Sequence, residues 1–298
     1  ARRLIMTERA YFENRWLPDA LLAPQLLITF VFFLWPAGKA IVQSVQRQDA
    51  WGLRTQFVGL ANFRELFQDG LYLQSFGTTL IFSVAVTVIA LGGGLLFAAA
   101  VDTVTKGTNA YRAMLMWPYA IAPAVAGALW YFMFNPSIGI VAYMLDVLGY
   151  DWNHYIRGRD ALLLVILASA WKQIGYNFLF FLAGLQSVPR SVIEAAAIDG
   201  AAPVRRFWWI IFPLLSPTTF FLIVVNSVYA FFDTFSVIHA TTQGGPVQAT
   251  SILVYKVYNT GFIGQNLGSS AAQSVILMAI VIVLSFVQFR FIGSRVHY

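Results

Sequence analysis

Lys172 interrupts an otherwise uncharged run from Ala161 to Val188. A charge inside an apolar segment is costly, and it faces a cavity or a partner group rather than lipid. Lys172 and Tyr176 lie four apart and share one helix face, with Trp171, Gln173 and Asn177 beside them. An ammonium aimed into a cavity attracts an anion such as a phosphate ester. The alternatives are snorkelling to the outer headgroups or pairing with Asp233. Asn226, Tyr229 and Asp233 fall at i, i+3 and i+7, a stripe suited to lining a pathway or to bonding between helices. His154, His239 and His297 stand alone, and no His, Cys, Asp or Glu cluster has metal-ligand spacing. No catalytic residue is assigned, although an intramembrane enzyme moving protons through Lys172 or Asp233 is a competing class. There is no G-x-x-x-x-G-K-[ST] phosphate loop, because Gly38-Lys39 is followed by Ala40. G-x-S-x-G, H-E-x-x-H and dinucleotide-binding glycine patterns are missing as well. The chain is expected to hold no cofactor and to hydrolyse no ATP itself.

Docking chemistry is written into the loop at 187–212. Pro189 and Ser191 open a helix, and Glu194 lies in its first turns, where the helix dipole favours a carboxylate. Ala195, Ala196 and Ala197 are strong helix formers with almost no side chain. Asp199, Gly200 and Ala201 follow, and the glycine stops the helix. A short, smooth-flanked helix ended by a tight turn fits a groove in another protein.

These groups need elements to hold them, and the composition says which. Hydrophobic residues make up 59% of the 298 and charged residues 11%, against roughly 25% charged in soluble domains. With a mean hydropathy of +0.69, the chain cannot cover a water-facing surface or stay disordered, and the absence of cysteine excludes a disulfide scaffold. An all-α, polytopic membrane protein remains, read as one transmembrane domain over 1–298. The net charge of +6 is scattered, with no basic run longer than two, so lipid rather than nucleic acid is the expected contact.

A crossing takes about 20 apolar residues. Six intervals qualify, uncharged but for Lys172 in the fourth: Ala20–Gly38, Thr78–Val101, Ala113–Phe134, Ala161–Val188, the stretch between Arg206 and Asp233, and Ala271–Phe289. The first is too long for a secretory signal core. Thr234–Tyr255 is excluded, because Thr241, Thr242, Gln243, Gly244, Gly245 and Pro246 are turn residues. That loop is expected to end one helix and begin an amphipathic piece at Ile252–Tyr258. Eleven Lys and Arg fall on the side of the termini and seven on the other, which puts both termini, and the segment 1–18, in the cytoplasm. Pro118 and Pro123 should kink the third span. Gly92–Gly94 and Ala98–Ala100 should let another helix approach closely. Phe63, Leu66 and Phe67 suggest a short outer helix at the interface or packed on the spans.

The run Glu194, Ala195, Ala196, Gly200, Ile210, Pro213, with Asp199-Gly-Ala201 inside it, resembles the EAA motif of ABC-importer membrane subunits. Phe57-Val-Gly-Leu-Ala-Asn-Phe63, Asn135-Pro-Ser-Ile-Gly139, Gly244-Gly245-Pro246 and Tyr258-Asn-Thr-Gly261-Phe262 are similar to carbohydrate-uptake permeases of the maltose-importer type. Trp117–Ala126, Tyr150–His154, Trp171–Phe181 and Val228–Phe235 look most like the branch that takes up sn-glycerol-3-phosphate. The resemblance implies a six-helix type I importer half in the bacterial inner membrane. It implies a second permease subunit, two cytoplasmic ATPases carrying ATP and Mg, and a periplasmic binding protein. Glu194–Ala201 would dock the ATPase, Gly244, Gly245 and Pro246 the binding protein, and Lys172, Tyr176, Asn177, Asn226, Tyr229 and Asp233 would line the pathway. A neutral sugar is the alternative cargo.

Overall fold

The computed structural model describes residues 16–49, 54–103 and 107–292. Helix α1 (Trp16–Ser44) is followed by an antiparallel hairpin of β1 (Gln46–Gln48) and β2 (Thr55–Phe57), in the register Gln46 to Phe57. Next come α2 (Ala61–Gln68), α3 (Gly70–Asp102), α4 (Thr108–Ala120), α5 (Pro123–Met133), α6 (Ile140–Val147) and α7 (Gly158–Ser187). Helices α8 (Arg190–Ile198), α9 (Pro203–Leu214), α10 (Ser216–Phe232), α11 (Phe235–Thr241), α12 (Leu253–Tyr258) and α13 (Leu267–Arg290) complete the chain. Among the described residues four continuous helices, α1, α3, α7 and α13, are long and apolar enough to cross a membrane. The pairs α4/α5 and α9/α10 pass the same test together, which makes six crossings if each pair is one. Among the described residues the fold is all-α apart from the small hairpin.

Two spans are not the single helices the hydropathy suggests. The third breaks by 98° between Ala120 and Pro123, and the fifth bends by 70° at Leu215. The cause is local. Ile121 and Ala122 are extended, Pro123 has no N–H to continue the ladder, and Pro213 and Pro217 flank the second bend. The expected kink at Pro118 and Pro123 is thus a full corner.

Helix α7 is the centre of the bundle, with buried residues on several faces. It packs along α3, where Gly93 and Gly94 lie close against it while Gly92, marked with them in the sequence, faces open space. A Cβ on Gly94 would lie 2.5 Å from Asn177 Cβ and 2.9 Å from the Phe178 nitrogen. Phe82, Val86, Val165, Tyr229, Ile238, Ile252 and Tyr255 form one apolar core. Phe178, Phe181, Leu182, Leu215 and Leu222 form another nearer the α8 end. Ile238 and Ile252 belong to the turn-rich segment that is no span, and both are fully buried, so α11 and α12 fold back into the bundle. In α2, Leu66 is buried on the spans while Phe67 is exposed. By contrast α1 exposes Leu21, Leu26, Phe32 and Phe33, a surface suited to lipid and not to water.

Candidate functional site

The corner in the third span opens a cavity of about 720 Å³ bounded by α7, α10 and α11. Tyr119 and Pro123 reach it from the corner, Lys172, Gln173 and Tyr176 from α7, and Tyr229 and Phe232 from α10, with Asp233, Phe235 and Ser236 following. Of the residues marked in the sequence as pathway groups, Lys172, Tyr176, Tyr229 and Asp233 meet here.

Asn177 and Asn226 do not line the cavity. Both are fully buried and clamp α7 to α10: each amide donates to the other's carbonyl, at 3.0 and 2.7 Å. Their second hydrogens go to the Gln173 and Leu222 carbonyls. The cavity face of α10 runs through Val225, Tyr229 and Phe232, and Asp233 reaches the cavity from the end of the helix. Asn226, one residue on from Val225 and so about 100° round the helix, turns to α7.

Lys172 is 7% exposed, so it does not snorkel. Among the described residues it forms no ion pair with Asp233. Its Nζ donates to the carbonyls of Tyr119, at 3.0 Å, and Ile121, at 2.6 Å, and lies 5.6 Å from the Tyr119 ring centroid. Helix α4 ends at Ala120, which leaves its last carbonyls without helical donors, and the ammonium caps them. Gly175 lets α4 sit down on α7, since a Cβ there would be 2.6 Å from the Leu115 oxygen. The sequence marked Pro123 as a kink only, and Tyr119 and Ser236 were not marked as pathway groups. Two prolines five residues apart were the available signal.

Helix α8 ends in a Schellman turn. Ala201 N donates to Ala196 O at 3.0 Å, Gly200 N to Ala197 O at 3.1 Å, and Gly200 has φ +81°. A Cβ on Gly200 would meet nothing within 4 Å, so the glycine answers to backbone conformation and not to crowding within this chain. Glu194, Ala195, Ala197 and Asp199 are exposed, Ala196 faces inward, and Ile198 is 87% exposed. On α9, Trp209 is exposed beneath the Arg205 guanidinium.

At the opposite end, Gly244 (φ +82°) is buried under Tyr255, and the Gly245–Pro246 peptide is cis. Gln243, Val247 and Gln248 also have positive φ, and Val247, 91% exposed, is the residue that projects. Behind this turn, a pocket of about 310 Å³ is walled by Tyr131, His154 and Tyr155. His154 is buried, and burial pulls its imidazole below the ordinary 6.5, against the opposing pull of the Phe134 backbone and the Asp160 carboxylate. Asp160, unmarked in the sequence reading, is buried and accepts from the Tyr150 hydroxyl at 2.6 Å and the Asn153 nitrogen at 3.0 Å. That first bond, with some burial, raises the Tyr150 hydroxyl above its usual range.

Both the sequence and the overall fold match known proteins. The chain is 60% identical over 291 residues to the sn-glycerol-3-phosphate transport system permease protein UgpA of Rhizobium meliloti, covering 98% of this chain and 99% of that one. The UgpA protein of Escherichia coli (strain UTI89) is 57% identical over 292 residues, with the same coverage. In three dimensions the chain is similar to a subunit of a bacterial alginate ABC transporter, solved in complex with its alginate-bound periplasmic protein. The TM-score is 0.80 at 20% identity, over 92% of this chain and 93% of that one. The inward-facing MetNI methionine transporter gives 0.53 at 16% identity, over 76% and 97%. The model of the binding-protein-dependent transport system inner membrane component matches residues 15–298. With that model matched over residues 15–298 and permeases covering 98% of the chain, the chain belongs to the binding-protein-dependent transport system inner membrane components.

Proposed function

We propose that the chain is one membrane half of an ATP-driven importer of sn-glycerol-3-phosphate or its diesters. The observation that carries this reading is the exposed, Schellman-stopped helix α8, set apart from a cavity at the corner of a broken span. The relatives' printed function supplies the cargo. In this reading a second permease subunit completes a heterodimer in the bacterial inner membrane, with both termini cytoplasmic. Two ATPase subunits hold ATP and Mg and grip Glu194–Ala201. Their closure displaces α8 and rocks the two halves between inward- and outward-open states. A periplasmic binding protein meets the turn at Gly244, Gly245 and Pro246, with Val247 at its tip, and hands cargo to the wall formed by Lys172, Tyr176, Tyr229 and Asp233.

One observation favours the neutral-sugar reading: Asp233 adds a carboxylate to the wall, and the Lys172 ammonium already holds two carbonyls. An uncompensated phosphate in an apolar site costs several kcal/mol or more. The phosphate reading therefore requires basic groups from the second permease. The complete importer, reconstituted in liposomes with its partner subunits, should accumulate labelled sn-glycerol-3-phosphate only with Mg-ATP. Accumulation of labelled maltose in its place would install the neutral-sugar reading.

A further inference from the structure

Lys172 holds two positions at once: it is the cap of a broken helix and a charged wall of the cavity. The two carbonyls it satisfies belong to the corner where α4 ends, and nothing in the extended Ile121–Ala122 link replaces them. Unsatisfied, each would be a costly orphan in an apolar interior. An ammonium has three donors, and two are spent on these carbonyls. No carboxylate competes for it among the described residues, since Asp233 shares the cavity without pairing. Beyond the corner, α5 is seated on α11, where Gly127 meets Ala240 and Val237. The corner thus connects the cavity to the turn-rich segment that begins at α11.

We propose that Lys172 is a cargo-operated latch: an anionic oxygen entering the cavity draws the ammonium off the Tyr119 and Ile121 carbonyls and releases α5 to swing relative to α4. A bond from an ammonium to a phosphate oxygen is charge-assisted on both sides, whereas a carbonyl offers only a dipole, so a phosphate ester wins the competition and a neutral polyol does not. Lys172 is a positioning residue in this account, since it acts through the helix corner. The inference rests on the anionic-cargo reading above.

The test uses the complete importer in nanodiscs. Met114→Cys and Phe132→Cys, at exposed sites on either side of the corner of this cysteine-free chain, carry spin labels for distance measurement. Addition of sn-glycerol-3-phosphate should shift the distance distribution, and glycerol should not. Lys172→Met should shift or broaden it without cargo and remove the response, with cargo-stimulated ATP hydrolysis about tenfold lower. Lys172→Gln, which caps a carbonyl but carries no charge, should keep the cargo-free distance and lose the response, and Lys172→Arg should restore it. Wild-type distances and an intact response in Lys172→Gln would overturn the latch, as would an equal shift with glycerol. If the wild type takes up no sn-glycerol-3-phosphate, the cargo reading fails by itself. The latch is then judged with inorganic phosphate: a Lys172-dependent shift upholds it and no shift overturns it.

Discussion

At the scale of single residues, geometry separates roles that residue type leaves merged. Gly200 sits at φ +81° with open space where a Cβ would be. A non-glycine residue pays about 1–2 kcal/mol for the left-handed conformation, and asparagine pays less than β-branched valine. Gly200→Val should therefore abolish uptake while the chain still inserts, and Gly200→Asn should retain a substantial part of it. Membrane quantity and labelled-cargo uptake, measured together, decide between strain and crowding by the docked partner, which would reject both. The Asn177–Asn226 pair presents a different balance. Removing one amide strands the other in an apolar core, at about 1–3 kcal/mol. Asn177→Leu or Asn226→Leu alone should lower the unfolding temperature in detergent, and the double variant should cost less than the sum of the two. Additive losses would show that the reciprocal bonds contribute nothing as a pair.

Among the elements, the ones that change direction hold the cavity residues. Prolines at 118, 123, 213 and 217 flank the two corners, and at the 98° corner two freed carbonyls are taken up by one side chain, Lys172, from a neighbouring helix. The link between α6 and α7 is held differently, by the buried Asp160 accepting from Tyr150 and Asn153, with His154 buried beside it. Because the His154 pKa in the folded chain lies below the ordinary 6.5, folding favours the neutral ring. Its contribution is complete above the ordinary value and is lost as pH falls through the lowered one. Thermal unfolding followed from pH 7.5 to 5 should show a loss of stability in the acid part of that range, and His154→Phe should flatten it. An unchanged acid slope in the variant would assign the sensitivity to other groups.

For the whole molecule, the claim is topological. Six crossings with the eleven-to-seven division of Lys and Arg predict that Leu60 and Tyr150, both exposed, lie outside and α8 inside. Single cysteines at residues 60 and 150 should react with an impermeant maleimide from the periplasmic side, and one at residue 198 only after the membrane is opened. Labelling of residue 60 or 150 only from the cytoplasm would invert the chain. Helices α1 and α13 present broad apolar surfaces. Helix α7 is the one on which α3, α4 and α10 converge, so substitutions there should be the least tolerated.

The sequence by itself determined the class, the apolar stretches and the stopped helix at Arg190–Ile198. Those signals are local: hydropathy accumulates along one segment, and Ala195–Ala197 followed by Gly200 makes a stopped helix whatever surrounds it. Even the close approach at Gly94 was legible, because a run of glycines on an apolar helix suits contact with another helix. Only the tertiary structure decided that Lys172 caps Tyr119 and Ile121, residues more than fifty positions away, and that Asn177 finds Asn226 in place of the cavity. It alone showed Ile238 and Ile252, in a segment read as an outer loop, fully buried in the bundle. A side chain's partner in an apolar interior is set by which helix ends and which faces the packing brings within hydrogen-bond reach. Spacing along one helix names the faces but not the neighbours they meet.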